Sequence, residues 1–357
     1  MTDARATIRP LTSIRGFAAL WVYVHHARNL SDGSFARAAT ELGYFGVDVF
    51  FILSGFIISY IHIDDFLSWA DLKKNTRRFL TLRLFRIYPL HLITLLLLIA
   101  FPVAAYYDPG SPTAVDFIEN LLMVHAWGFP VVMCWNIPSW SISTEWLLYL
   151  LFPLMAWGIG SRARDPLFNV LLLLLALWGW VTYLYAIDWE MPYLWWSGYS
   201  VPRGILDFTM GVALHNLFRA GFLGRLPWDA ISIMALLGVI IVIWLKSRDI
   251  EVYGVVMLAL FAVTIYAFAN LRSFGNWLFS NRVVVYLGTI SYSLYMFHWQ
   301  YLQVTWQYRS VLFHEESLLS PQFAAKTLGL IGLSALSYHF IENPARKWGQ
   351  RLAGRAA

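Results

Sequence analysis

Ten apolar runs separated by short polar joints make up most of this chain: residues 11–29, 43–61, 82–104, 140–159, 167–186, 203–218, 228–245, 252–269, 283–302 and 322–341. Each is close to the roughly 20 residues that a helix needs to cross the hydrocarbon of a bilayer. The runs are too long and too uniformly apolar for the period-two strands of a membrane barrel. The pattern predicts an all-α, polytopic membrane bundle of about ten transmembrane helices, one domain over 1–357 with no appended soluble domain, repeat or long linker. Arg15 interrupts the first run and no small-residue cleavage pattern follows it, so that span is expected to persist in the mature protein.

The joints give the bundle a direction. With the N-terminus inside, the inner segments hold sixteen basic residues, among them Arg9, Lys73, Lys74, Arg77, Arg78 and the Arg346–Arg355 group, and the outer segments hold five. That bias predicts both termini in the cytoplasm and fits an even number of crossings. Two outer connections, 101–139 and 188–202, are rich in aromatics and proline, and either form a rim for an acceptor or shield the bundle.

Composition sharpens this picture only slightly. A chain that is 59% hydrophobic and 13% charged, with mean hydropathy +0.57, is too apolar for an ordinary soluble enzyme. Because its basic residues sit beside hydrophobic spans, the net charge of +5 points to anionic membrane lipid and not to nucleic acid. The single cysteine, Cys134, excludes an intrachain disulfide.

Polar side chains inside the runs carry the chemistry, because they are expensive in lipid. Arg15 and His26 stand eleven positions apart, about 1100° of rotation and about 16 Å of rise, so they share a helix face at different depths. On that face Arg15 can hold an anionic substrate while His26 takes a proton from a hydroxyl. Alternatively, Arg15 snorkels to the inner interface and the histidines lie at the outer one. His25 points about 80° away from Arg15 and is the weaker base. Asp48 either contacts substrate or neutralises an arginine.

Further along the chain, Arg83 and Arg86 lie three apart at the inner surface, suited to phosphates or to lipid anchoring. Ser141, Glu145 and Tyr149, four apart, form one polar stripe, with Glu145 orienting a basic group, contributing to the acceptor site or pairing with an arginine. Ser291, Tyr295 and His298 line one side of the ninth run, and Arg203, Asp207 and His215 lie in the sixth. His339 and Glu342 precede Pro344, which is expected to end the last helix. No compact ligand set for a metal, phosphate loop, dinucleotide fingerprint or hydrolase elbow is present in the sequence, so an activated donor is a better energy source than ATP.

The ordered set TSIRGFAALWVYVHHARN, GYFGVDVFFILSGFIIS, RRFLTLRLFRIYP, WSISTEWLLYLLFP, GTISYSLYMFHW and SYHFIENPARK closely resembles the membrane acyltransferase-3 family, the OafA-like membrane O-acyltransferases, over almost the whole chain. The family's arginine and histidine fall on Arg15 and His26, its second-helix aspartate on Asp48 and its loop arginines on Arg83 and Arg86. Its Trp-Ser-Glu element falls on Trp140, Ser141 and Glu145, and its aromatic-histidine segment on Tyr292, Tyr295 and His298. The family's Asp-Gly-Leu before the first arginine reads Thr12, Ser13 and Ile14 here.

The resemblance implies transfer of an acyl group, often acetyl and sometimes succinyl, from cytoplasmic acyl-CoA to a carbohydrate, lipid-linked glycan or other hydroxyl acceptor at a bacterial inner membrane. Under it, His26, Arg15 and Glu145 are catalytic, and Arg15, Arg83 and Arg86 hold CoA. Asp48, Trp140, Ser141, Tyr149, Tyr295 and His298 meet substrate. Direct attack, an acyl-His26 intermediate and, in another functional class, transport of a lipid or glycan all suit such a bundle.

Overall fold

The described part of each apolar run is helical, the ninth as two helices. The computed structural model describes residues 7–27, 33–100, 113–128, 135–186, 200–250, 254–307 and 317–355. The helices are α1 (Arg9–His26), α2 (Ser34–Glu41), α3 (Gly46–His62), α4 (Trp69–Ala100), α5 (Ala114–Leu121), α6 (Trp140–Ile159), α7 (Pro166–Ala186), α8 (Ser200–Arg219), α9 (Trp228–Lys246), α10 (Gly254–Ala269), α11 (Phe274–Phe279), α12 (Arg282–Thr289), α13 (Ser291–Gln307), α14 (Pro321–Ser337) and α15 (Asn343–Arg355). Five helical stretches, Ser34–Phe66, Trp69–Ile99, Ile137–Ile159, Pro166–Ala186 and Trp228–Lys246, are long and apolar enough to cross a bilayer.

The outward faces require lipid. On α7, Leu167, Leu171, Leu174, Leu175 and Trp178 are exposed at helical spacing, and α9 presents Ile233, Met234, Leu237, Ile240, Ile241 and Trp244 in the same way. Continuous apolar stripes of this kind are unfavourable in water and ordinary in hydrocarbon. With several such helices in one chain, the protein is a multi-pass membrane protein. Polar residues are instead buried inside, including Asp48, Asn169, Arg203, Asp207, His215 and Asn216.

Close backbone contacts set the centre of the bundle. α3 and α8 form its most extensive helix pair. A Cβ added to Gly55 would overlap the Phe208 carbonyl, and one added to Gly211 would overlap that of Ile52, so both glycines let the two backbones meet. α1 packs on α3, α12 and α13, while α4 is covered by α6 and α15.

Three expectations change at element boundaries. The ninth run is two helices, broken at Ile290, not one rod over 283–302. Asn281 caps α12 through Val283 N at 2.9 Å, and Gly288 seats against the Thr12 carbonyl, where any Cβ would overlap. α4 begins thirteen residues before its predicted start, because the basic stretch from Lys73 to Arg78 continues the helix and Ser68 accepts from Asp71 N at 3.1 Å. Finally, Pro344 does not end a helix. A π-helical turn at Tyr338–Glu342 leads into α15, and Pro344 sits in its first turn, where no amide donor is needed.

Candidate active site

α1, α3, α4, α6 and α13 line a cavity of about 100 Å³ between them. Arg15, Arg83, Arg86, Ser141, Glu145, Tyr149 and Tyr295 all line it, together with Ser54 and Tyr292. Residues spread over 280 positions of sequence therefore converge on one interior space.

The three arginines are not equivalent. Arg86 is ion-paired with the fully buried Glu342, whose other oxygen accepts from Ser293 Oγ at 3.0 Å. The Arg86 guanidinium also lies 5.4 Å from the Tyr292 ring centre. Arg83 donates to His62 Nε2 at 3.2 Å, and His62 Nδ1 in turn faces Asp65 at 2.8 Å. The Arg83 Nε is buried without a hydrogen-bond partner. Arg15 makes no hydrogen bond or ion pair with a described residue, although Glu145 and Tyr149 lie close enough to act on its charge. A carboxylate is present but already engaged: Glu145 Oε1 accepts from Ser54 Oγ at 2.9 Å and from the Tyr149 hydroxyl at 2.5 Å. The space is thus cationic at Arg15 and Arg83, with hydroxyls around a single acid.

The histidines lie beyond this cavity. Neither His26 nor His298 is among its lining residues. The link is Tyr295, which lines the cavity, meets Ser141 Oγ at 2.8 Å through its hydroxyl and packs its ring 5.4 Å from that of His298. His298 Nε2 then lies 3.3 Å from His26 Nδ1. His25 turns the other way, its Nδ1 at 2.9 Å from the Thr40 carbonyl and its ring against Tyr44. A further pair, His91 and His125, stacks between α4 and the segment that precedes α6. Burial, and secondarily His91, pushes His125 down to about 3, which makes it a weak base.

The family model for the type-3 acyltransferase domain matches residues 11–339. The chain belongs to this acyltransferase family. Acyltransferase MdmB of Streptomyces mycarofaciens is 29% identical over 97% of this chain and 92% of its own length. Peptidoglycan O-acetyltransferase OatA of Listeria monocytogenes is 22% identical over 97% of the chain, which spans 57% of that longer protein. No solved structure matches the chain.

Of the residues that the acyltransferase resemblance gives to substrate, Asp48, Trp140 and His298 do not line the cavity. Asp48 is fully buried in a bidentate pair with Arg203, at 2.7 Å from Nε to Oδ1 and 2.6 Å from Nη2 to Oδ2. Trp140 lies under the same guanidinium at 5.4 Å. Neither lines the cavity, so both hold α3, α6 and α8 together. Opposite charges within two apolar runs were the signal for the Asp48–Arg203 pair. Ser54 and His62 bear on the site without having been singled out: a serine in FILSGF and a histidine at a helix end look ordinary until α6 and α4 are placed against them. The aromatic-rich stretches 101–112, 129–134 and 187–199, with Cys134, lie outside the described residues.

Proposed function

We propose that this acyltransferase moves an acetyl group from cytoplasmic acetyl-CoA to a hydroxyl of a cell-envelope glycan or lipid-linked glycan. In this reading the helices make ten crossings of the bacterial inner membrane with both termini inside. The observation that carries it is Arg15, a guanidinium lining an interior cavity with no ion-pair partner among the described residues. An uncompensated cation in low dielectric is costly, so the site is suited to an anion brought from outside. Arg83, with one nitrogen unsatisfied, lies beside the same space. The phosphates of CoA supply that charge, and the helix rise of about 16 Å between Arg15 and His26 is spanned by its extended pantetheine arm. The relatives named as acyltransferase and O-acetyltransferase favour an acetyl ester product.

In the proposed reaction the acceptor oxygen attacks the thioester carbonyl while His26 takes the hydroxyl proton. The C–S bond then breaks, CoA leaves as the thiolate, and the imidazolium returns the proton to sulfur. Glu145, held by Ser54 and Tyr149, orients the cationic end of the cavity.

Membranes containing the protein are expected to transfer label from [14C]acetyl-CoA into base-labile esters of envelope material. Arg15→Gln is expected to raise the KM for acetyl-CoA tenfold or more, about 1.4 kcal/mol, with a smaller change in kcat at saturating donor. An unchanged KM would remove Arg15 from donor binding.

A further inference from the structure

Buried arginines in this bundle are held in two ways. Arg86 and Arg203 are each paired with a buried carboxylate, Glu342 and Asp48, which neutralises their charge inside the protein. Arg83 is held by a ring instead. Its Nη2 donates to His62 Nε2 at 3.2 Å, its one hydrogen bond among the described residues. A guanidinium has no lone pair to offer, so His62 Nε2 is the acceptor and the hydrogen of the neutral imidazole sits on Nδ1. The other side of the ring agrees, because Nδ1 lies 2.8 Å from the Asp65 carboxylate, which can only accept. Each ring nitrogen has one partner, and both partners require the same tautomer.

The local sequence builds this line from the surface inward. His62 is the last residue of α3, and Asp65 lies in the turn that follows, where its backbone carbonyl accepts from Asn75 Nδ2 of α4 at 2.7 Å. α4 then carries Phe79 and Arg83 four residues apart on one face. The His62 ring meets the Phe79 ring edge-on at 5.2 Å, and the Arg83 guanidinium lies 5.6 Å from the centre of the same ring. Arg83 lines the cavity and His62 does not, so the imidazole stands behind the cation and out of reach of a ligand there.

We infer that His62, oriented by Asp65, is a positioning residue that holds Arg83 toward the donor phosphates without neutralising it. The inference rests on Arg83 binding the donor. A carboxylate in the place of His62 would fix the guanidinium as firmly, but it would cancel the charge that an incoming phosphate meets. The Asp65 charge is kept one imidazole further away, where its Coulomb attraction to Arg83 is weaker. Arg83 thus gains a fixed direction and keeps its positive charge for a ligand.

His62→Gln and His62→Glu test this directly, since both offer an oxygen near the place of Nε2 and they differ in charge. In membranes assayed for [14C]acetyl transfer, His62→Gln is expected to keep the KM for acetyl-CoA within about threefold, whereas His62→Glu should raise it about tenfold and His62→Ala about fivefold. The kcat at saturating donor should stay within about twofold in all three. Because His62 acts through Arg83, adding His62→Ala to Arg83→Gln should raise KM no further than Arg83→Gln does alone. Equal KM values in the Gln and Glu variants, or a loss confined to kcat, would overturn the inference. Should the His62 variants fail to fold, Asp65→Ala decides, because that side chain is 44% exposed: a KM raised about threefold is expected, and an unchanged KM refutes the role. An unchanged KM in Arg83→Gln would instead defeat the underlying assignment of Arg83 to the donor.

Discussion

His26→Ala is expected to lower acetyl transfer by on the order of 10²–10⁴-fold, the usual contribution of a positioned general base. The variant should keep its fold, because the His26 side chain is only partly buried. Donor affinity should persist, since the cavity lined by Arg15, Arg83 and Arg86 does not include this ring. His25→Ala is the informative partner: its imidazole faces the Thr40 carbonyl and Tyr44, so a change of less than about tenfold is expected. Initial rates with [14C]acetyl-CoA, alongside thermal melting of the detergent-solubilised protein, separate loss of chemistry from loss of structure. A His26→Ala enzyme with undiminished transfer rules this base out.

Breaking the Asp48–Arg203 pair should have the largest effect on stability. Both side chains are almost completely buried, and the guanidinium also donates to the Tyr44 carbonyl at 3.3 Å and stacks over Trp140. Removing one partner leaves an uncompensated charge inside the bundle, which costs about 3–5 kcal/mol. Asp207 compounds the problem: it accepts from Trp180 Nε1 at 2.9 Å and keeps one oxygen buried without a partner. Asp48→Leu and Arg203→Met should each sharply reduce the yield of folded protein. The double variant should restore most of it, because two apolar groups of similar volume need no counter-ion. Activity of the double variant then separates two roles for Asp48. Recovered transfer marks the pair as architecture, whereas a folded but inactive protein returns Asp48 to the substrate site.

The helices and their order were legible in the sequence because lipid imposes a length and an apolar composition on each of them, and no soluble core asks for both. The convergence of Arg15, Arg83, Glu145 and Tyr149 was legible for the same reason: polar groups inside such runs must face one another or a cavity. Partner choice was not. The choice of Glu342 as the partner of Arg86 depends on the π-helical turn after Ser337, which a mean helical repeat cannot reveal. The break at Ile290 depends on Gly288 meeting a carbonyl of α1, 276 residues away in sequence. The expected common face of Arg15 and His26 follows from the repeat of α1 alone. Tyr295 and His298, from α13, turned out to stand between the cavity and the imidazole.

That arrangement makes the path from the arginines to His26 the centre of the account. A high-resolution map of the protein with a ketone-linked acetyl-CoA analogue, in which CH₂ replaces the thioester sulfur, tests it most directly. The account predicts the CoA phosphates at Arg15 and Arg83, the chain running past Tyr295, and the carbonyl facing the His26 ring with room for one hydroxyl between them. An analogue bound away from Arg15, or with its carbonyl held on the far side of a closed Tyr295–His298 pair, would contradict it.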